Sequence, residues 1–281
     1  MALPSVRYMA KGIAPQRRFS QNFLTDVRVA QRIVSELTIT PDDTVIEIGP
    51  GTGALTKWLA ASPAKRIIAI DADERAIEHC SRQPWVTSRC LFIQADVRQV
   101  NLADLLSGEK AVLVGNLPYN ITSELVFWIL DNQEYLTRAV IMVQLEVARR
   151  LVAPEGSKEY GILSVAVRQG AKPNLLFTVK PGSFFPAPSV QSAVVRFLLH
   201  PHPLPDSLIP GFREFVRAAF SMRRKLASNT LKHWLAIQNI KQDIQLDVIK
   251  EFKLSERRPE TISPADYIKI FCRLVGVSLN T

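Results

Sequence analysis

The chain has 281 residues, of which 47% are hydrophobic and three are cysteines, and its net charge is +9. This length supports one sizeable core with a smaller second domain, and no apolar run approaches the roughly 18 residues of a membrane span or the continuous stretch of a signal peptide. Because an odd number of cysteines without metal-ligand spacing indicates a reduced compartment, we expect a cytoplasmic protein that binds no metal.

Residues 44–144 alternate short β-branched apolar runs with longer amphipathic stretches. One of the amphipathic stretches is a predicted helix over Ser123–Asp131. Strands that alternate with helices indicate a parallel sheet with helices on both faces. The predicted strands are Thr44–Ile48, Arg66–Ile70, Cys90–Gln94, Ala111–Gly115 and Arg138–Gln144.

The pattern changes after residue 144. Two helices are predicted over Glu146–Ala153 and Gly161–Gln169, and two strands over Leu175–Lys180 and Gln191–Leu199. These two strands flank a proline-rich loop with no room for a crossover helix, so we expect them to pair antiparallel. Four prolines between residues 201 and 210 then mark a boundary, which predicts a first domain over residues 1–205 and a helical domain over residues 206–281.

A glycine-rich loop follows the first predicted strand directly. Gly49, Gly51 and Gly53 form the pattern G-x-G-x-G, whereas dinucleotide folds show G-x-G-x-x-G, and no Lys-Ser/Thr follows as in a P-loop. Glycines at this spacing let the backbone turn tightly and approach a ligand closely. The loop therefore predicts a site for a nucleoside cofactor.

Two carboxylates end the next two predicted strands and support this site. Asp71 can accept both hydrogen bonds of a ribose diol, and Asp96 can accept from an adenine amino group. Parallel strands place these side chains at one edge of the sheet. The alternative is that the loop is an ordinary glycine turn and the two acids are surface residues without a ligand. Glu47 lies at the end of the first strand, where a buried carboxylate needs a partner, and we expect a structural role for it before contact with a cofactor ammonium group.

The segment Asn116-Leu117-Pro118-Tyr119 follows the fourth strand and suits an exocyclic amine. The Asn116 side-chain oxygen and a backbone carbonyl, of Leu117 or of Pro118, can each accept one hydrogen of an adenine N6. This draws electron density toward a nitrogen that is otherwise a poor nucleophile. Pro118 stiffens the turn, and Tyr119 can stack on the base. Positioning then supplies most of the catalysis, and no strong base is required.

Aromatic and proline residues at 184–188 form the third informative segment. Phe184, with Pro186 and Pro188, could form the other wall of a base pocket, but core packing of Phe184 is a serious alternative. A base held between two such walls must first be unstacked or looped out.

In combination, these segments resemble the small-subunit ribosomal RNA adenine dimethyltransferases over roughly residues 15–275. The resemblance implies a Rossmann-like class I methyltransferase sheet, seven-stranded and mostly parallel, with a small C-terminal all-α domain. It also implies S-adenosylmethionine as methyl donor, transfer to N6 of two adjacent adenosines in the 3′-terminal hairpin loop, and a role in small-subunit biogenesis. Further matching segments are residues 17–24 (RRFSQNFL), 160–164 (YGILS), 192–196 (SAVVR) and 223–225 (RRK).

The resemblance also assigns residues. It implies a catalytic motif at Asn116, Leu117, Pro118 and Tyr119, with Phe184 against the target base. Three departures from the family are Asp71, where glutamate is commoner, Gln94-Ala-Asp-Val97, where Gly-Asp-Ala is usual, and Ser189-Val-Gln191, where Lys-Val-Asp is common. The first preserves the chemistry, the second leaves Asp96 intact, and the third puts RNA contacts there in doubt. The implied cofactor contacts are Gln21, Asn22, Leu24, Gly49, Gly51, Asp71, Asp96 and Asn116.

The basic residues concentrate at the two ends of the chain. Residues 1–20 carry four basic groups and no acid, and residues 211–281 carry 13 basic and 7 acidic groups. Flanks of this kind can hold an enzymatic core against a polyanion, although general solubility would also explain them. We predict phosphate contacts at Arg223, Arg224 and Lys225, with help from Lys232 and the pair at 257–258; a solvated helix face is the alternative.

The predicted partner is small-subunit rRNA or an immature small ribosomal subunit. No heptad or large apolar patch is evident in the sequence, so we expect a monomer. Two other functions stay open at this point. One is a large-subunit rRNA adenine methyltransferase of the resistance type, which the long helical tail and the basic run at 223–225 disfavour. The other is a non-catalytic assembly factor or transcription accessory protein, against which the intact segment 116–119 argues.

Overall fold

The computed structural model describes residues 22–278, so the predicted cofactor contact at Gln21 lies outside the described residues. The chain divides into two compact units. The first consists of the described residues up to Ala148 together with Lys172–His200, and the second consists of Arg149–Ala171 and the chain from Pro201 onward. The first unit holds the sheet, and the second holds most of the C-terminal helices.

Nine strands occur among residues 22–278, and seven of them form one sheet in the order β4-β3-β2-β5-β6-β9-β7. The neighbours from β4 to β6 pair parallel, and β6 pairs antiparallel with β9. The predicted seven-stranded, mostly parallel sheet is therefore confirmed. The strands are β1 Phe23–Leu24, β2 Thr44–Ile48, β3 Arg66–Asp71, β4 Cys90–Gln94, β5 Ala111–Asn116, β6 Leu136–Gln144, β7 Ala171–Val179, β8 Phe184–Phe185 and β9 Ser192–Leu199.

The central strands β2 and β5 are almost entirely buried, which explains their near-continuous apolar sequences. Ile48 lies opposite Gly115 in this pair, one residue before the chain reaches Asn116. A Cβ on Gly115 would lie 2.8 Å from the Ile48 carbonyl oxygen, so the close approach of the two strands requires glycine there. The carboxyl ends of the central strands are thus held in a fixed register.

Strand β7 begins at Ala171, four residues before the predicted start at Leu175. The added residues include Pro173, and proline cannot donate a ladder hydrogen bond. The strand lies at the end of the sheet order, beside β9, where one side has no strand partner. Proline is tolerated on such edge strands, so the strand can extend through residue 173.

The described helices of the first unit cover the sheet. Helix α1 begins after Asp26, whose carboxylate accepts from the amides of Arg28 and Val29. Helix α5 confirms the predicted amphipathic helix and buries Leu125, Val126 and Ile129. The helices before residue 149 are α1 Val27–Ser35, α2 Thr56–Ala60, α3 Glu74–Ser81, α4 Leu102–Leu106 and α5 Thr122–Asp131; α6, Leu145–Val152, continues beyond that residue.

The second unit is helical and has its own aromatic core. Phe215 packs edge-on against Trp234, with ring centroids 5.1 Å apart, and against Tyr267 at 6.1 Å. No strand occurs in the described residues from 201 onward, as the sequence predicts. Its helices are α7 Ile162–Gly170, α8 Ile209–Ala219, α9 Ala227–Ile237, α10 Gln242–Glu251 and α11 Pro264–Val275.

Residues 149–171 belong to the second unit, although the predicted boundary places them in the first domain. Tyr160 gives the physical reason. Its ring is fully buried in the aromatic core of the second unit, and its hydroxyl donates to the Ile262 carbonyl oxygen at 2.9 Å. A helix pattern alone could not reveal this long-range attachment.

None of the described helices is long and apolar enough to cross a membrane.

Candidate active site

The glycine loop between β2 and α2 has the backbone that its sequence predicts. Gly49, Gly51 and Gly53 all adopt positive φ, between +54° and +79°. The left-handed region favours glycine, because a side chain there is strained. A Cβ on Gly53 would also lie 2.8 Å from the Trp85 ring, so this position lacks space for a larger residue.

A cavity of about 300 Å³ opens beside this loop at the carboxyl ends of the strands. Four of the predicted site residues line it, namely Gly49, Asp71, Asp96 and Pro118. Apolar side chains, including Ile70 and Val97, complete the wall. A cleft with apolar walls and two carboxylates suits a nucleoside, whose ring is apolar on its faces and whose ribose and amino groups donate hydrogen bonds.

Asp71 ends β3 and is held by backbone donors. Its Oδ1 accepts from the amide of Asp73 at 2.9 Å, and its Oδ2 accepts from the amide of Gly51 at 3.4 Å. Burial raises the pKa of Asp71 to about 6, and these amide hydrogen bonds partly offset the effect. The carboxylate is thus oriented by the glycine loop and keeps lone pairs for a ligand.

Asp96 is more heavily engaged than the sequence suggested. Arg98 donates to both of its carboxylate oxygens, with Nη2 2.6 Å from Oδ2 and Nε 3.0 Å from Oδ1. Hydrogen bonding from Arg98 lowers the pKa of Asp96, so this carboxyl stays ionised. Arg98 also contacts Glu124 and lines the cavity itself, which the sequence reasoning did not anticipate. Oδ2 also accepts from Nε at 3.2 Å and Oδ1 from the Arg98 amide at 3.0 Å, so an adenine amino group would have to share Asp96 with Arg98 or displace its side chain.

Asn116 is the last residue of β5, and one of the two polar atoms of its side-chain amide has a partner. Nδ2 donates to the carbonyl oxygen of Asn22 at 3.0 Å. Oδ1 is buried, and among the described residues it has no hydrogen-bond donor. A buried acceptor gains from a donor, so this oxygen is suited to a group that donates a hydrogen bond. The predicted cofactor contact Asn22 and the predicted catalytic Asn116 are thus brought together.

The two candidate backbone acceptors after Asn116 differ in their partners. The Pro118 carbonyl oxygen accepts from the hydroxyl of Thr122 at 2.9 Å and from the amide of Ile121 at 3.3 Å. The Leu117 amide donates to the Met142 carbonyl oxygen, but no described residue donates to the Leu117 carbonyl oxygen. Because a carbonyl oxygen has two lone pairs, the Pro118 oxygen is already satisfied. The geometry therefore favours Leu117 as the second acceptor for an amine.

Tyr119 is half-buried, and its hydroxyl lies 2.7 Å from the Ser192 Oγ on strand β9. Burial raises the pKa of Tyr119, so the side chain remains a neutral phenol. Ser192 lies in the segment 192–196 that matches the family, but the sequence assigns it no role at the site, since it is 73 residues away from Tyr119 in the chain.

Phe184 lies in the short strand β8, opposite Leu24 of β1. Its side chain is only 4% exposed and belongs to the main hydrophobic core of the first unit. The structure thus supports the core-packing alternative for this residue. Leu24 is also buried, and it lines a separate cavity of about 440 Å³ together with Gly53, Trp58 and Trp85.

Comparison with known proteins identifies the family. A family model described as ribosomal RNA adenine dimethylase matches residues 14–270. The chain belongs to this family. It is 39% identical over 257 residues to a ribosomal RNA small subunit methyltransferase A from Desulfitobacterium hafniense, covering 92% of this chain and 91% of that protein. A relative of the same name from Salinibacter ruber is 41% identical over 235 residues, covering 80% of this chain and 76% of its own.

Solved structures agree in fold. A dimethyladenosine transferase from Plasmodium falciparum superposes with a TM-score of 0.75 at 24% identity, covering 88% of this chain and 95% of its own. The 23S rRNA methyltransferase ErmE gives 0.68 at 23% identity, covering 90% and 100%. These structures confirm the predicted class I methyltransferase fold. The family model and the relatives confirm the predicted enzyme class, an rRNA adenine dimethyltransferase.

The basic residues predicted to contact phosphates differ in their exposure and partners. Arg224 and Lys225 are exposed just before α9, while Arg223 is half-buried and donates to the Ser157 carbonyl oxygen at 3.1 Å. Arg257 instead pairs with Asp266 at 3.2 Å within its own unit. The run at 223–225 thus keeps two exposed cations for a polyanion, whereas Arg257 has a structural role.

Glu47 of the dimethylase is buried under the glycine loop at 1% exposure. It is not among the residues that line the 300 Å³ cavity, and its Oε2 has no partner among the described residues. Burial raises the pKa of Glu47 to about 8, and the nearby Asp71 carboxylate adds to the shift. The thiol of Cys80, whose pKa burial also raises, lies beside the same loop, 3.5 Å from the Gly51 carbonyl oxygen. Because Glu47 is buried outside the cavity, the structural role expected from the sequence stays a prediction.

We expect Glu47→Gln to stabilise the dimethylase at pH 8 by about 4 kcal/mol, because the pKa rises from 4.5 to about 8 on folding and each pKa unit corresponds to roughly 1.4 kcal/mol. The folded state keeps the proton on Glu47 up to about pH 8, whereas the unfolded state loses it near the ordinary glutamate pKa of 4.5. The folded state therefore binds more protons in this window, and the free energy of unfolding falls as pH rises through it. Urea unfolding of both proteins from pH 4 to 8 measures the difference, which should vanish at the acidic end. A constant difference would contradict the assignment.

No group of three or more His, Cys, Asp or Glu residues that could hold a metal ion occurs within residues 22–278. Three residues have contacts at the site that the sequence did not predict, namely Arg98, Thr122 and Ser192. Each acts on a predicted site residue through a side-chain hydrogen bond.

Proposed function

We propose that the dimethylase transfers methyl groups from S-adenosylmethionine to N6 of two adjacent adenosines in the 3′-terminal hairpin loop of small-subunit rRNA. The observation that carries this proposal is the buried Asn116 Oδ1, which has no donor among the described residues and lies at the carboxyl end of β5. An adenine N6 offers hydrogens of the kind that this oxygen lacks. The protein would act as a cytoplasmic monomer during small-subunit biogenesis.

The cavity beside the glycine loop fits the nucleoside part of the methyl donor. We assign the ribose hydroxyls to Asp71 and the adenine amino group to Asp96, where it would replace part of the contact with Arg98. Gly49 and Gly51 would allow close approach of the backbone, and Gln21, Asn22 and Leu24 are proposed contacts along the same ligand. When bound, S-adenosylmethionine supplies an electrophilic methyl group on a sulfonium.

The chain's own residues would then orient the target amine. Asn116 Oδ1 and the Leu117 carbonyl oxygen would accept its two hydrogens and turn the nitrogen lone pair toward the methyl group. Pro118 fixes the turn that presents this carbonyl, and Tyr119 would stack on the base. The proton leaves after transfer, so the site needs orientation more than a base. Phe184 is the proposed second wall only if β8 rearranges, because its side chain is packed in the core.

The helical unit provides the proposed RNA contact. Arg223, Arg224 and Lys225 would neutralise phosphates without reading sequence, and such binding weakens as salt rises. The exposure of Arg224 and Lys225 supports this role. Small-subunit rRNA, presented alone or in an immature particle, is the proposed partner.

Methyl transfer from labelled S-adenosylmethionine to unmethylated small-subunit particles, followed by nucleoside and fragment mass spectrometry, tests the proposal. We expect dimethyladenosine at two adjacent positions near the 3′ end. Large-subunit RNA from the same cells is the matched control substrate. Transfer to that RNA alone would instead establish the resistance-type activity, and binding without transfer to either would establish a non-catalytic assembly factor.

A further inference from the structure

We propose that Ser192 is a positioning residue for methyl transfer, which fixes the plane of the Tyr119 ring through a hydrogen bond to its hydroxyl. The inference rests on the proposed function, in which Tyr119 stacks on the target base. It adds a residue outside the segment 116–119 and on a different strand. The two oxygen atoms are 2.7 Å apart, an ordinary distance for a strong hydroxyl–hydroxyl hydrogen bond.

Ser192 is held on a rigid part of the sheet. It is the first residue of β9 and lies opposite Gln144, the last residue of β6, in the antiparallel ladder. The preceding carbonyl, of Gln191, accepts from the amide of Leu145 at 2.9 Å. Ser192 is fully buried, with 0% exposure, so its hydroxyl is shielded from water. An anchor at this position cannot shift without displacing the strand end.

Tyr119 is held at its backbone as well as at its hydroxyl. The hydroxyl of Thr122 lies 2.9 Å from the Pro118 carbonyl oxygen and 3.4 Å from that of Tyr119. These contacts fix the start of the side chain but leave rotation about χ1 and χ2. The contact with Ser192 at the far end of the ring removes that rotation, so the ring is fixed at both ends.

The ring plane matters because it sets the position of a stacked base. Asn116 and Tyr119 are three residues apart on one turn, so a base that lies on the ring has its N6 placed relative to Asn116 Oδ1. A misplacement of about 1 Å at a reacting centre can lower a rate by about 100-fold. Loss of one hydroxyl contact loosens the ring without removing it, so the expected loss is smaller, about ten-fold.

A double-mutant cycle tests the inference in the full-length protein. Single-turnover methyl transfer to small-subunit particles is measured for Ser192→Ala, Tyr119→Phe and the double variant. We expect each single variant to lose about ten-fold in the transfer rate and the double variant to lose no more than either single one, because both remove the same hydrogen bond. Binding of S-adenosylhomocysteine by calorimetry should stay within two-fold. Additive losses, or no loss in either single variant, would overturn the inference.

Two further variants separate a positioning role from a structural one. Ser164→Ala removes another serine of 0% exposure, whose hydroxyl donates to the Arg150 carbonyl oxygen at 2.6 Å in the other unit. It should leave the transfer rate unchanged, whereas an equal ten-fold loss there would assign the Ser192 effect to general destabilisation. Ser192→Thr keeps the hydroxyl and should recover most of the rate.

Tyr119→Ala distinguishes failure of this inference from failure of the proposed function. If Tyr119→Ala lowers the rate at least 100-fold while Tyr119→Phe and Ser192→Ala do not lower it, the ring acts on the base and the Ser192 inference alone fails. If Tyr119→Ala also transfers at the native rate, the proposed stacking fails, and the inference falls with it.

Discussion

Replacing Asn116 with alanine should lower the rate of methyl transfer by roughly 10³-fold while RNA binding stays nearly unchanged. The magnitude follows from losses of about 10²–10³-fold seen when one preorganised hydrogen-bonding group is removed from a reacting centre. Asn116 Oδ1 has no donor among the described residues, so its removal leaves no broken contact in the protein at that atom. The loss should therefore appear in the chemical step.

The side chain of Asn116 also has a structural contact, which the experiment must separate from catalysis. Its Nδ2 donates to the Asn22 carbonyl oxygen, and Asn22 is a proposed cofactor contact. Asn132→Ala is the matched control, because the Asn132 amide likewise donates to a backbone carbonyl, that of Trp128, at 2.9 Å. It should cost a similar amount of stability and leave transfer intact.

Single-turnover rates and filter binding to small-subunit particles, each at saturating S-adenosylmethionine, measure the two quantities for Asn116→Ala. Saturation keeps a weakened Asn22 contact from appearing as a loss of chemistry. Native transfer by Asn116→Ala would show that the amine is oriented by other groups and would end the catalytic assignment.

The elements nearest the site were predictable because their signals are local. The runs Thr44–Ile48 and Cys90–Gln94 are strands over the predicted residues, and the glycine loop has the positive φ angles that its composition requires. Parallel strands bring their carboxyl ends to one edge, so Asp71 and Asp96 could be placed at one site without coordinates. In these cases the residue type and its position in the strand decide the structure.

The rest depends on contacts between residues that are distant in sequence. Ser192 reaches Tyr119 across 73 positions, and Tyr160 reaches Ile262 across 102. Neither partner carries a pattern that reveals the other. Phe184 illustrates the same limit, since an aromatic residue beside prolines suits a base pocket and a core equally well, and only the burial of its ring separates the two. The choice between the Leu117 and Pro118 carbonyls needed the position of the Thr122 hydroxyl.

Substitution of Asp71 by asparagine should weaken binding of S-adenosylhomocysteine by about 30-fold at pH 8. A charged acceptor contributes roughly 1.5–3 kcal/mol to a hydrogen bond, and about 2 kcal/mol corresponds to this change in Kd. Asparagine keeps the shape of the side chain and one acceptor oxygen, so the glycine loop should stay folded. Asp104→Asn, on an exposed residue of α4, is the matched control and should bind like the native protein.

The affinity of the native dimethylase should also depend on pH because of Asp71. Burial raises the pKa of this carboxyl to about 6 in the protein without ligand. Ribose hydroxyls that donate to the carboxylate stabilise its charged form and lower its pKa in the complex, so binding releases a proton when the pH is below about 6. Affinity should therefore be constant above pH 7 and weaken by up to ten-fold for each unit of pH below 6.

Calorimetry in buffers of different ionisation enthalpy measures both the affinity and the number of protons released. Asp71→Asn should bind weakly at every pH and release no proton at pH 5.5, whereas Asp104→Asn should reproduce the native profile. The far-ultraviolet circular dichroism of all three proteins at pH 5.5 checks that the fold persists there. A native affinity that stays flat from pH 8 to 5 would mean that the Asp71 carboxylate does not hold the ribose, because a buried carboxyl that accepts from the ligand must lose its proton on binding.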